Sequence, residues 1–285
     1  MIKLTQHFSA LAANYDVALS DVWGVTHNGI SAFPRACEAL SRFRAGGSTV
    51  ILITNAPRRG AAVSRQLDQI GVPRDAYDDI VSSGDVTCGV MAERPGQSVF
   101  HLGPQRDISI FDGLDIRFAP IEEADYVVCT GLFNDDVETP ESYRDMLGIM
   151  RRRNLFMICG NPDVVVERGD RLVYCAGAVA DLYGSLGGEV LYAGKPYRPI
   201  YDMALARAEK ARGAKTPLSR VLAIGDSVRT DLKGAAAFGI DCLFVTAGIH
   251  AEELGGRDDP DLQLLAGIFD DAGAAARAVT RALVW

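Results

Sequence analysis

Asp21 stands in the apolar run Val17-Ala18-Leu19-Ser20-Asp21-Val22-Trp23-Gly24-Val25, and a carboxylate in a buried-looking strand is costly unless it has chemical work to do. A carboxylate so placed can attack a phosphorus centre, splitting one hard displacement into two easier ones. Three later segments supply what that attack requires. Ile51-Leu52-Ile53-Thr54-Asn55 ends a second apolar run; the Thr54 hydroxyl can donate to a phosphoryl oxygen, with the backbone N–H of Asn55 beside it. Gly194-Lys195-Pro196 sets a cation in a tight loop, where Lys195 can stabilise charge on a transferring phosphoryl group. Gly225-Asp226-Ser227-Val228-Arg229-Thr230-Asp231 holds two carboxylates across the start of a helix. Asp226 is a hard-oxygen ligand suited to Mg2+, and Asp231 orients Lys195 or a metal-bound water. The blander readings are an ordinary turn at Thr54-Asn55, a surface lysine at 195, and a helix-dipole partner at Asp231.

Other phosphate chemistries fit less well. Between Gly188 and Lys195 the glycine spacing is one residue too long for a P-loop, and Pro196 stands where Ser or Thr is required. No G-x-G-x-x-G dinucleotide fingerprint occurs in the chain.

The order of these groups, an Asp at the end of a first strand, then Thr, Lys and an acidic pair, resembles the haloacid dehalogenase-like hydrolase superfamily over nearly the whole chain. Gly160-Asn161-Pro162-Asp163 and Cys175-Ala176-Gly177-Ala178 resemble cap signatures of its class IIA branch (C2-capped, NagD-like), typified by bacterial nucleotide and sugar-phosphate phosphatases. The resemblance implies a Mg2+-dependent phosphatase or phosphotransferase acting on a small phosphorylated metabolite, a sugar phosphate or a nucleotide, through an aspartyl-phosphate at Asp21. It implies metal ligands at Asp21, the backbone carbonyl of Trp23, and Asp226. It places Thr54, Asn55 and Lys195 on the phosphate, Asn161 and Asp163 in a cap facing the leaving group, where Asn161-Pro162-Asp163 reads equally well as a turn, and two copies of the chain in a homodimer.

One position departs from that pattern. The second Asp of the family's phosphatases, two residues after the nucleophile, is replaced by Trp23, and indole cannot act as the general acid. Its loss costs about 10²–10⁴ in rate, so good leaving groups are expected to react best. His27 lies just beyond and offers an imidazole as a substitute, with a structural loop histidine as the plainer reading. An aromatic at this position also fits a metal-independent dehalogenase, which the Gly225–Asp231 acidic motif opposes. The alternative from another class is a catalytically silent phosphometabolite-binding or regulatory protein on the same fold.

Positioning these residues requires a parallel sheet. Apolar runs at 17–22, 49–54, 220–224 and 241–245 alternate with helical patterns at 34–45, 59–70, 198–211 and 230–238, the rhythm of a Rossmann-like, doubly wound α/β core. All the motifs fall where a strand gives way to a loop, where such sheets bind ligands. Strands at 125–129 and 155–159 and helices at 140–152 and 177–186 form an inserted α/β cap, giving a core of 1–87 and 190–285 and a cap of 88–189. The alanine-rich stretch 272–282 reads as a C-terminal helix.

With 285 residues, 48% hydrophobic, the chain can bury ample core. A net charge of −8 disfavours nucleic-acid or anionic-membrane partners. Six scattered cysteines without a C-x-x-C pair read as buried free thiols in a reducing, cytoplasmic setting. The N-terminus lacks a secretory pattern, and no apolar run is long enough to span a membrane.

Overall fold

The structure is a computed structural model that describes residues 2, 4–168, 171–257 and 259–285; Met1 and Lys3 of the N-terminal segment lie outside the described residues. The strands, in chain order, are β1 (Val17–Asp21), β2 (Thr49–Thr54), β3 (Asp79–Ser82), β4 (Ser98–Leu102), β5 (Arg117–Phe118), β6 (Tyr126–Cys129), β7 (Phe156–Cys159), β8 (Val165–Arg168), β9 (Arg171–Tyr174), β10 (Val190–Tyr192), β11 (Val221–Gly225), β12 (Asp241–Val245) and β13 (Ala278–Thr280). Two compact units arise, one of Met1–Thr54, Ala61–Val81 and Pro196–Trp285, the other of Asn55–Gly60 and Ser82–Lys195.

The first unit is a six-stranded sheet in the order β13-β12-β11-β1-β2-β3. β1 pairs in parallel with β2 on one side and with β11 on the other. Every residue of β1 and β11 is buried, which is why both read as unbroken apolar runs rather than as alternating ones. The helix Pro34–Ala45 opens on a proline in its first turn and buries Ala36, Cys37, Ala39, Leu40 and Phe43. Arg198–Arg212 also opens on a proline and ends at Gly213, whose φ of 69° closes the helix in the left-handed region. The expected helix 230–238 is two pieces, a π-turn at Val228–Leu232 followed by Lys233–Phe238.

The alanine-rich segment is a correction. The helix is Leu262–Ala272, stopped by Gly273 at φ 63°, and Ala278–Thr280 instead forms β13, parallel to β12 with Leu243 opposite Ala278. All three residues of β13 are buried. Burial and an edge pairing outweigh alanine's helix propensity once the glycine has ended the helix.

The second unit is a parallel five-stranded sheet, β10-β7-β6-β4-β5, with the antiparallel hairpin β8-β9. Its core gathers Val127, Met157, Leu147, Met150, Val179 and Tyr183, and the Tyr183 hydroxyl donates to the Leu155 carbonyl at 2.6 Å. Residues 190–192, expected in the core domain, belong to this sheet because β10 pairs with β7. Residues 55–60, 82–87 and 193–195, also expected in the core domain, group here too; Ser82, the end of β3, caps the helix Ser83–Ala92 through a Ser82–Asp85 capping box.

Candidate active site

In the first unit the sheet changes direction at β1, whose neighbours β2 and β11 lie on opposite sides, so the carboxyl ends of β1 and β11 flank the switch point where open α/β sheets bind ligands. Asp21 is the last residue of β1 and Gly225 the last of β11, with Asp226 immediately after it. Asp21, Asp226 and Asp231 are all buried, and one carboxylate oxygen from each lies within 4.8 Å of the others. Three carboxylates so close and so shielded from water form a hard-oxygen donor set that fits a divalent cation of the Mg2+ or Ca2+ type.

Close approaches by glycine shape this cluster. A Cβ on Gly248 would lie 1.8 Å from Asp226 Oδ2, and one on Gly24, at φ +83°, would lie 2.1 Å from the same atom. The backbone on either side therefore closes onto Asp226 as only glycine allows. Ile249 N–H donates to Asp226 Oδ2 at 2.7 Å, holding the carboxylate in one orientation. Asp231 Oδ2 accepts N–H bonds from Asp226 at 3.2 Å and from Ser227 at 3.1 Å, so Asp231 fixes the loop that carries Asp226. Gly24, Gly248 and Ile249 escaped the reading of the sequence. The glycine just past an apolar strand in Val245-Thr246-Ala247-Gly248 was the available signal.

Thr54 closes β2, one residue beyond the register pair of Ile53 with Asp21. Trp23 sits in the loop after Asp21, 53% exposed, its ring 5.5 Å from that of His27 and lying against Gly29, where a Cβ would meet the indole at 2.3 Å. His27 is 3% exposed, and burial pushes its imidazole down to about 4. Its Nδ1 accepts the Gly29 N–H at 2.8 Å, so the ring is neutral and committed to its own turn. That arrangement favours the structural histidine over a substitute acid.

The second unit holds the remaining predicted residues. Lys195 is 3% exposed. The Asn55 side chain clamps its backbone from both sides, Oδ1 accepting Lys195 N–H at 2.7 Å and Nδ2 donating to Lys195 C=O at 3.0 Å. The same Nδ2 donates to Asp163 Oδ1 at 2.9 Å. A Cβ on Gly194 would lie 2.4 Å from Asn55 Oδ1, which explains the glycine before the lysine. Asn161 Oδ1 accepts the Asp163 N–H at 3.1 Å, an Asx turn that presents Asp163 to Asn55. Asn55, Asp163 and Lys195 are thus brought together, with Asn161 supporting them.

A fold of two parallel sheets, with a carboxylate cluster at the switch point of one, defines a Rossmann-like hydrolase with a cap. Residues 18–117 match the model of the haloacid dehalogenase-like hydrolases and residues 192–268 a second, HAD-hydrolase-like model. A haloacid dehalogenase-like hydrolase of Brucella suis 1330 has 48% sequence identity and a TM-score of 0.86 over 99% of this chain and 100% of its own. The chain belongs to the haloacid dehalogenase-like hydrolase family. Among curated proteins, the 5'-nucleotidase YutF of Bacillus subtilis is 25% identical over 242 residues, 84% of this chain and 90% of that protein. The D-glycerol 3-phosphate phosphatase of Mycobacterium tuberculosis is 25% identical over 247 residues, 85% of this chain and 66% of its own length. No helix among the described residues is long and apolar enough to cross a membrane.

Proposed function

We propose that this chain is a phosphomonoester hydrolase that uses Mg2+ and Asp21 to release phosphate from a small phosphorylated metabolite. The observation that carries the reading is the buried cluster of Asp21, Asp226 and Asp231 at the switch point of the core sheet, and the phosphatase names of its curated relatives support it. By this reading Asp21, Asp226 and the Trp23 backbone carbonyl hold the metal, with Asp231 bracing the loop of Asp226. When bound, a divalent cation neutralises charge between a carboxylate nucleophile and a phosphate dianion.

The Asp21 carboxylate oxygen attacks phosphorus, and the bond from phosphorus to the leaving oxygen breaks with its electron pair on that oxygen. Thr54 O–H and the Asn55 N–H donate to phosphoryl oxygens, and Lys195 supplies positive charge to them. Water then attacks the phosphorus of the aspartyl-phosphate, the bond from phosphorus to the Asp21 oxygen breaks with its electron pair on the restored carboxylate, and the proton lost by the water passes to the released phosphate. The indole N–H of Trp23 is far too weakly acidic to protonate the leaving oxygen, and neutral His27 is turned into its own loop. Phenolate-type leaving groups, which depart without protonation, are therefore favoured. Asp163 and Asn161 complete the reading on the cap side. A homodimer and a cytoplasmic location belong to the same reading; the absence of disulfides among the described cysteines suits a reducing compartment.

The second reading, a silent binding protein, is favoured by one observation, the indole where a general acid would stand. Phosphate release from aryl and metabolite phosphates, with Mg2+ or EDTA, decides between them. Turnover that needs Mg2+ and vanishes in Asp21→Asn is the expected result. No turnover on any ester, with phosphate binding retained, would replace the hydrolase by the binder.

A further inference from the structure

The cap sheet has a switch point of its own. From β4 the chain moves to one side to form β5 and then returns to the other side to form β6. Outside the carboxyl ends of these three strands lies a cavity of about 460 Å³, lined by Phe100, His101, Gly103, Gln105, Phe118 and Phe133 among others. This is the position at which parallel α/β sheets hold ligands.

The lining is aromatic and uncharged. Phe118 is 50% exposed and Phe133 42% exposed, yet neither ring is loose. Phe118 packs edge-on against Phe111 at 5.0 Å, and Phe111 packs against His101 at 5.1 Å. Phe133 leans on Tyr143 at 5.7 Å, and its own N–H donates to the Tyr143 hydroxyl at 2.6 Å. His101 Nε2 is hydrogen-bonded with Thr130 Oγ1 at 2.9 Å, and a Cβ on Gly103 would lie 2.1 Å from that oxygen, so glycine alone lets the floor close. Braced rings left facing solvent are preorganised for a flat partner, since little side-chain freedom remains to be lost on binding.

We infer that this cavity binds a planar, uncharged heteroaromatic ring, the base of a nucleoside-type ligand, stacked on Phe118 and Phe133 with the Gln105 amide available to its hydrogen-bonding edge. The uncharged lining disfavours a phosphate in this cavity and favours the ring. The inference rests on the lining of this cavity alone, and it stands or falls separately from the role of Asp21.

The test is binding of adenosine and uridine, which carry no phosphate, to the full chain by saturation-transfer NMR and calorimetry, with ribose as control. Either nucleoside is expected to bind through its base protons while ribose does not. Because base–aromatic stacking is worth about 1–3 kcal/mol per base, Phe118→Ala or Phe133→Ala should weaken binding about 5- to 150-fold. Phe118→Trp should restore or exceed the native affinity. Leu172→Ala, at another exposed apolar residue of this unit, should leave binding unchanged. Failure of both nucleosides to bind, or binding indifferent to both phenylalanine variants, would overturn the inference. Phosphate release without nucleoside binding removes this site alone, whereas nucleoside binding without any phosphate release removes only the hydrolase reading.

Discussion

Replacing Gly248 by alanine tests whether the backbone around Asp226 is as tightly closed as the structure requires. The added Cβ would lie 1.8 Å from Asp226 Oδ2, 2.4 Å from Cγ and 2.3 Å from Cβ, where real Cβ contacts stay beyond 3.0 Å. Rotating the carboxylate clears the oxygen but not Asp226 Cβ, which is fixed to the end of β11. The loop or the strand end must therefore move by roughly 0.7 Å or more. The Ile249 N–H bond to Asp226 Oδ2, 2.7 Å long, sits on the very next residue and moves with it. Overpacking of this kind costs about 1–3 kcal/mol of stability, and a catalytic group displaced by about 1 Å loses on the order of 10²-fold in rate. Calorimetric Mg2+ titration and Mg2+-dependent phosphate release, with thermal melting to confirm folding, measure both effects. The expected result is a folded protein with Mg2+ affinity and turnover both reduced at least tenfold. A Gly248→Ala chain that binds Mg2+ and turns over within twofold of native would refute the packing argument.

Three further outcomes follow from the geometry. Asn55→Ala strands the Lys195 N–H and C=O in a buried place and removes a bond to Asp163, so urea denaturation should show a loss of about 3–5 kcal/mol. Asn55→Asp should be worse in turnover, because it sets a second carboxylate against Asp163. Trp23→Asp supplies the absent general acid at an exposed position, so phosphate release from alkyl phosphates should rise about 10²-fold or more while aryl phosphates change little; equal ratios for the two classes would count against the reading of Trp23. His101 is held neutral by burial, its imidazole pushed down to about 4 against 6.5 when unfolded. The folded chain thus binds fewer protons, and this contribution to stability is full above pH 6.5 and lost as pH falls toward 4. The drop in urea midpoint between pH 7.5 and 5 should therefore be smaller in His101→Gln than in the native chain.

Much of the core sheet was legible because its strands are buried on both faces and read as continuous apolar runs. The runs 49–54 and 241–245 coincide with β2 and β12, and the 34–45 helix with its observed bounds. The strands absent from the sequence pattern are β3, β4, β5, β8, β9, β10 and β13, and several of them owe their identity to partners. β3 and β5 are four and two residues long, too short for a period to show, and β10 becomes a strand by pairing with β7. β13 was misread because an alanine-rich composition speaks for a helix, while the glycine stop and the vacant edge of β12 speak only in three dimensions.

For the site, the three carboxylates that the structure gathers, Asp21, Asp226 and Asp231, could be picked out from the sequence alone, and Thr54 and Lys195 stand out there as candidates beside them. Each stands at the end of an apolar run or in a glycine-punctuated loop, and such local signals depend only on near neighbours. That Asn55 clamps the backbone of a residue 140 positions later, that Gly24 and Gly248 close on Asp226, and that Asp231 accepts the N–H groups of its own loop were decided by the tertiary structure. So were the neutral, inward-turned His27 and the aromatic cavity between the ends of β4, β5 and β6. These features arise where segments distant in the chain meet at distances of a few ångströms, and no local pattern encodes the register that brings them there.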